Sequence, residues 1–397
     1  MEPVLAAQTL AEFFQQYLFD PESAPGFLAK ALAALIHALL LGCFFGLPGG
    51  IFIWGERKIA GRIQDRLGPT RVGGRFGWLQ PLADGLKLVQ KEDLVPKPAD
   101  PLLFRMAPYI VLVASFSALM VLPFSDGWVA VALDSGLFLI FAVLALEVVG
   151  VILGGYASGS KWALLGAMRE AAQMVSYEIP MSICAVVPVV AAGTLNLGEI
   201  ARMQSGWITN WLIFHDPFTF CAFFVYFACA TASCKRAPFD LPEAESELVA
   251  GFMTEYSGMR WALFFLAEYT SMFIVSGIAT VLFLGGWHLG LPVLESASWP
   301  VHLIGMCVFL LKASVLVIVQ IWVRWTLPRL RIDQVMMACL KYLIPISCVL
   351  FLGAVLWPVT MAQVLHRTTL LGQPLGERAA APAIVAPEKT AGSRVKR

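Results

Sequence analysis

Charge is scarce in this chain. Of its 397 residues 14% are Asp, Glu, Lys or Arg, against roughly a quarter in soluble domains. The 28 basic and 27 acidic residues nearly cancel to +1, which excludes the basic surface a nucleic-acid binder needs. Histidine is scarcer still: His37, His215, His288, His302 and His366 are scattered, with no HExxH and no close pair. The eight cysteines contain no C-x-x-C and mostly lie in apolar runs, so neither a metal site nor a disulfide framework is expected. GPTRVGGR lacks the Lys-Ser/Thr that would reach phosphate and metal, and no strand precedes it, which excludes a phosphate-binding loop. There is no dinucleotide fingerprint, no fixed-period repeat and no matched pair of interrupted helices, and this last absence counts against an inverted-repeat transporter.

Apolar surface is abundant instead, with 58% hydrophobic residues and a mean hydropathy of +0.75. A water-soluble fold of this size has too little interior to hide it. Crossing a hydrocarbon core of about 30 Å takes about 20 helical residues. Eight runs approach that length: Leu28 to Trp54, Leu103 to Phe124, Ser135 to Tyr156, Tyr177 to Ala192, Phe218 to Ser233, Trp261 to Gly285, Leu303 to Val323 and Leu340 to Ala362. The expected fold is therefore an all-α polytopic membrane protein with about eight transmembrane helices. Residues 1–27 are expected to form an external segment with a short amphipathic helix, Leu10 to Asp20, and no signal peptide. Residues 28–362 form the membrane domain, and residues 363–397 a disordered tail.

Lysine and arginine divide unevenly between the loops, eighteen on one side against Arg202 alone on the other. The positive-inside rule places the long loop 55–102 in the cytoplasm and both termini outside. In that loop Trp78, Leu82, Leu86 and Val89 recur at helical spacing while Asp84, Lys87 and Lys91 stay polar, which predicts an amphipathic helix lying in the interface. A solvated basic loop touching anionic lipid is the plainer reading of the charge alone.

Ionisable residues inside spans are costly and normally retained for function. Glu178, Glu268, Glu147 and Lys312 form a ladder from the cytoplasmic edge to mid-membrane. Lys312 and Glu147 differ by about 5 Å in depth, so they are expected to pair or to communicate through water. The alternative is a static ion pair that fixes helix packing. The third cytoplasmic loop, 234–260, carries Asp240, Glu243, Glu245, Glu247 and Glu255 beside Arg260. If Pro242 opens a helix, Glu243 and Glu247 share a face and their repulsion favours proton uptake. An ordinary solvated acidic loop has the same composition.

Four segments carry a resemblance: GERKIAGRIQDRLGPTRVG, REAAQMVSYEIP, KRAPFDLPEAESELVAGFMTEYSGMRWALFFLAEY and WVRWTLPRLRIDQVM. They resemble the signature cytoplasmic segments of the H-subunit family of NADH-quinone oxidoreductases, the quinone-chamber membrane subunits of respiratory complex I, over roughly Leu28 to Met361. The resemblance implies an eight-helix subunit that docks the hydrophilic arm and forms much of the quinone tunnel. It binds no redox cofactor itself; quinone is the substrate, and FMN and iron-sulfur clusters belong to partner subunits. Carried over by motif, Glu56, Arg57, Arg62, Asp65 and Asp84 line the tunnel. Glu243, Glu245 and Glu247 form the acidic coupling loop, to which the loop's composition adds Asp240 and Glu255, and Glu147, Glu178 and Glu268 the intramembrane proton path, to which the depth reading adds Lys312. Partners are the other complex I subunits, quinone and the lipid bilayer, with no nucleic acid, and the setting is the bacterial inner membrane. A related hydrogenase anchor subunit and a stand-alone proton-coupled carrier are the alternatives; the full GERK to LGPTRVG loop argues against the first, and the missing repeat against the second.

Overall fold

The computed structural model describes residues 27–126, 128–291 and 299–365. Its helices are α1 (Phe27–Ile63), α2 (Gln80–Gln90), α3 (Pro101–Val121), α4 (Gly136–Ala157), α5 (Lys161–Ala192), α6 (Leu197–Arg202), α7 (Pro217–Ser233), α8 (Glu245–Leu248), α9 (Gly258–Phe283), α10 (Trp299–Thr326), α11 (Ile332–Met337) and α12 (Ile344–Leu365). A π-helical segment, Ala338–Leu343, joins the last two. Among the described residues there is no β-strand, and the one isolated bridge links Ser125 and Trp128. The expected helix at Leu10 to Asp20 and the tail beyond residue 365 lie outside the described residues.

The helix starts follow from local chemistry. Asp100 accepts hydrogen bonds from the Leu102 and Leu103 amides, with Pro101 at the first helical position of α3. Asp216 caps α7 in the same way, ahead of Pro217. An Asp-Pro pair satisfies orphan amide groups with the carboxylate and removes another at the proline.

Among the described residues six stretches are long and apolar enough to cross a membrane: α3, α4, α5, α9, α10 from Val301, and the run Ile332–Met361. The other two expected spans fall on α7, 17 residues long, and on α1, which runs for 37 residues. The protein is an all-α polytopic membrane protein. In α9 78% of the apolar window is buried, against 22% to 50% in the other five, so α9 is the central helix. It packs against α1, α3, α7 and α10. In α2, Leu82, Leu86 and Val89 are exposed along one face, as expected of an interfacial helix, and Trp78 is exposed just ahead of it.

Two expected boundaries move. α5 is one helix of 32 residues, not a short span beginning at Tyr177, and at 1.5 Å per residue it is about 48 Å long. Arg169 and Glu170 interrupt its apolar run but not its backbone, and Pro180 and Pro188 lie inside it. Likewise GERKIAGRI continues α1 instead of opening a loop.

Lipid gives helices no hydrophobic reason to associate, so close packing has to supply the attraction. Gly150 and Gly154 form a GxxxG face of α4 against α3. A Cβ on Gly150 would stand 3.1 Å from the Val111 nitrogen and 3.2 Å from the Ala107 oxygen. Gly150→Val is therefore expected to cost about 1–3 kcal/mol through overpacking. Thermal inactivation of the detergent-solubilised protein checks this, and an unchanged midpoint would show that the two helices have slack.

Candidate functional site

The polar interior is built where α7 ends. The chain turns at Cys234, with Lys235 in the left-handed region (φ 54°), and sends two consecutive cationic side chains inward. Lys235 is 4% exposed and Arg236 2%. Each meets carboxylates from the surrounding helices.

Arg236 Nη1 donates to both Glu56 oxygens at 3.1 and 2.9 Å, and Nε lies 2.7 Å from Glu268 Oε1. The guanidinium also sits 4.3 Å from the Tyr269 ring centre. Glu56 further accepts from Arg324 Nη1 at 2.5 Å and from the Tyr269 hydroxyl. Burial opposes the charge on Arg236, but Glu268 and Glu56 outweigh it and hold the guanidinium's pKa well above its ordinary value. Lys235 Nζ donates to Glu147 Oε1 at 3.1 Å and lies 3.9 Å from Glu170 Oε1. Its pKa is also raised, with burial overcome by Glu147 and Glu170. Glu147 receives the hydroxyl groups of Ser115, at 3.2 Å, and Ser271 as well. Six helices, α1, α3, α4, α5, α9 and α10, thus contribute to one buried network.

The acidic loop folds over it. Glu243 turns inward and is half-buried, whereas Glu247 points out and pairs with Arg169 at 2.6 Å. They do not share a helix face. Pro242 opens no helix; the one that forms, α8, has four residues and starts at Glu245. Asp240 meets Arg329 at 3.2 Å, Arg329 also donates to Ser246 at 3.0 Å, and Glu255 is half-exposed near the loop's end. The loop backbone lies directly on α5: a Cβ on Gly166 would stand 2.7 Å from the Pro242 oxygen and 2.8 Å from the Phe252 nitrogen. Beyond it, Ser257 donates to the Glu92 carbonyl at 2.8 Å and Arg260 pairs with Asp93 at 2.8 Å. Loops 55–102 and 234–260 are tied together there.

The residues expected at the quinone path divide into three groups. Glu56 belongs to the buried network. Arg57, one residue on, pairs with Asp84 of α2 at the surface, and Gln80 supports Asp84 at 3.2 Å. Arg62 and Asp65 are exposed at the end of α1. Glu178 is set apart from the ion pairs and lines a cavity of about 10 Å³ with Leu144, Val148, Met174, Tyr177 and Ser233.

The expected pairing of Lys312 with Glu147 is not formed. Lys312 Nζ donates to the carbonyls of Leu284, Gly286 and His288 at 2.6, 3.2 and 2.6 Å and lies 4.1 Å from the Trp211 ring. Leu284 is thirteen residues along α9 from Ser271, which binds Glu147, and that is about 20 Å of rise. Burial and the Lys312 charge push the neighbouring His288 imidazole down to about 4, so it is neutral at physiological pH. Sequence reasoning took Lys235, Arg236 and Arg324 only as topological charges and passed over Glu170 and Tyr269. The one available signal was that KR directly follows an apolar run and precedes the acidic loop.

Fold and site together define a polytopic helical membrane protein whose core is charged. A family model described as NADH dehydrogenase matches residues 35–355. The H subunit of the NADH-quinone oxidoreductase of Anaeromyxobacter dehalogenans is 44% identical over 354 residues, covering 86% of each chain. Its counterparts in Chlorobaculum parvum and Geobacillus kaustophilus are each 48% identical, over 342 and 329 residues, covering 84% and 83% of this chain and 93% and 94% of theirs. The chain belongs to the family of NADH-quinone oxidoreductase H subunits.

Proposed function

We propose that this membrane subunit of an NADH:quinone oxidoreductase forms the quinone access tunnel and part of the quinone chamber, and that it couples quinone reduction to proton translocation. The observation that carries this reading is the adjacency of Arg57 and Glu56. One faces the α2 surface through Asp84, and the other is locked to Arg236 and Arg324 inside. A charge change at the outer pair therefore reaches the buried carboxylates through a single turn of α1.

In this mechanism the apolar faces of α1 and α2 receive the isoprenoid tail, and Arg57 donates hydrogen bonds to a quinone carbonyl as negative charge develops. The redistributed charge shifts the balance among Glu56, Arg236 and Glu268, and through the adjacent Lys235 reaches Glu147. Electrons arrive from NADH through FMN and iron-sulfur clusters held by hydrophilic-arm subunits, so this chain's residues bind, orient and move protons. Adjacent small membrane subunits receive those protons. The membrane is the bacterial plasma membrane, with both termini on the periplasmic side by the eighteen-to-one distribution of basic residues.

Arg57→Ala tests the reading in membranes carrying the assembled complex. Quinone-dependent NADH oxidation is expected to fall roughly ten-fold, equivalent to one charge-assisted hydrogen bond of about 1.5 kcal/mol, with NADH-to-ferricyanide activity preserved. Normal quinone kinetics in this variant would overturn the tunnel assignment.

A further inference from the structure

The mechanism above does not use Glu170, a buried acid. Glu170, on α5, has a side chain 1% exposed, and neither of its carboxyl oxygens has a hydrogen-bond partner. Gln173, one turn along on the same side of the helix, gives its amide to the Ala232 carbonyl at 2.8 Å while its own buried oxygen is unpartnered. The nearest cation to Glu170 is the ammonium of Lys235, at 3.9 Å, and the same ammonium is bonded to Glu147 at 3.1 Å. Phe252, 5.9 Å from Nζ, closes another side.

Two carboxylates around one ammonium would leave a negative charge without compensation in a low-dielectric interior, and that is costly. One proton removes the imbalance. The distances say which acid carries it: Glu147 has the shorter contact to Lys235 and two serine hydroxyl groups, so it is the charged partner, while Glu170, with no donor of its own, is the neutral one.

We propose that Glu170 stores a proton and passes it to Glu147 by way of Lys235. Lys235 releases an N–H proton to Glu147 Oε1 along the existing hydrogen bond and takes the carboxyl proton of Glu170 in return as the 3.9 Å gap closes. One proton moves, no electron moves, and the cluster's total charge is unchanged. The ammonium then pairs with Glu170, so the trio has two arrangements that a charge change at the neighbouring Arg236 can bias. Refilling comes from the Glu178 side, where the cavity lined by Tyr177, Glu178 and Ser233 has room for about one water. This rests on the coupling reading above and adds to it a specific donor, relay and acceptor.

Glu170→Gln retains the shape of the neutral acid, and so the fold, but cannot release a proton. In the assembled complex, infrared spectra of the unmodified enzyme are expected to contain a carboxylic-acid C=O band that shifts in heavy water and is lost in Glu170→Gln. Proton pumping per quinone reduced, normalised to assembled complex on native gels, is expected to fall in the same variant. Spectra identical in the two proteins, or unaltered pumping, would overturn the proposal. Glu147→Gln separates the two levels: if it stops pumping while Glu170→Gln does not, the storage role alone fails, and if neither alters pumping the coupling reading fails with it.

Discussion

Replacing Arg236 with methionine is expected to leave too little stability for the complex to assemble. The side chain is 2% exposed and is paired with Glu56 and Glu268. Arg324, 2.5 Å from Glu56, is not altered by the substitution, so the charge left stranded is that of Glu268. Removing one partner of a buried pair costs about 3–5 kcal/mol, a large part of the 5–15 kcal/mol that holds a typical domain together. Methionine also gives up the planar contact with Tyr269. The double variant Arg236→Met with Glu268→Gln should recover much of the loss, because removing both partners costs far less than isolating one. Arg236→Lys should fall between them, since an ammonium keeps the charge but loses the fork that spans two carboxylates. Complex abundance on native gels and the temperature of thermal inactivation measure all three. A single methionine variant with normal abundance and inactivation temperature would mean that the loop is held by its backbone contacts to α5 and not by this cation.

The spans were legible in the sequence because the bilayer imposes a one-dimensional rule: backbone groups must bond within the segment, so long apolar runs become helices. That rule stops at the membrane edge. The half of α5 ahead of Tyr177 carries Arg169 and Glu170 and does not read as an apolar run, yet it is helical, with Glu247 paired to one and the fold burying the other. Depth arithmetic put Lys312 near Glu147, but rise along a helix says nothing about which side the residue faces or how helices are offset. The carbonyls that end α9 claimed the ammonium instead. The charged core was hidden for a related reason. Lys235 and Arg236 read as positive-inside residues, and only the turn at Cys234, which no periodicity announces, aims them at Glu56, Glu147 and Glu268. Of the acidic loop the composition was legible, whereas its sidedness was not: Glu243 goes in and Glu247 goes out on a backbone that rests against Gly166 of α5 and forms no helix at Pro242.

That inward turn of Glu243 makes the loop sensitive to alkali. Its carboxyl pKa is held well above the usual range, first by burial and then by repulsion from Glu268 and Asp240, with Arg236 and Lys235 opposing. The folded chain therefore keeps a proton that the unfolded chain releases near the ordinary glutamate pKa of about 4.3. A group raised in this way contributes stability that is fully present below that value and is lost as pH rises toward the folded pKa, at up to about 1.4 kcal/mol per pH unit. Once ionised, Glu243 is repelled by the same carboxylates, and the loop is the element that yields. Quinone-dependent turnover should accordingly decline on the alkaline side earlier than NADH-to-ferricyanide activity, which under the proposed function does not pass through this chain. Glu243→Gln mimics the protonated acid, so its rate should hold at pH values where the unmodified enzyme declines. Rates against pH for both proteins, normalised to ferricyanide activity, decide the matter. If the glutamine variant declines along the same curve, Glu243 is not the group that titrates, and the alkaline limit must belong to another member of the network.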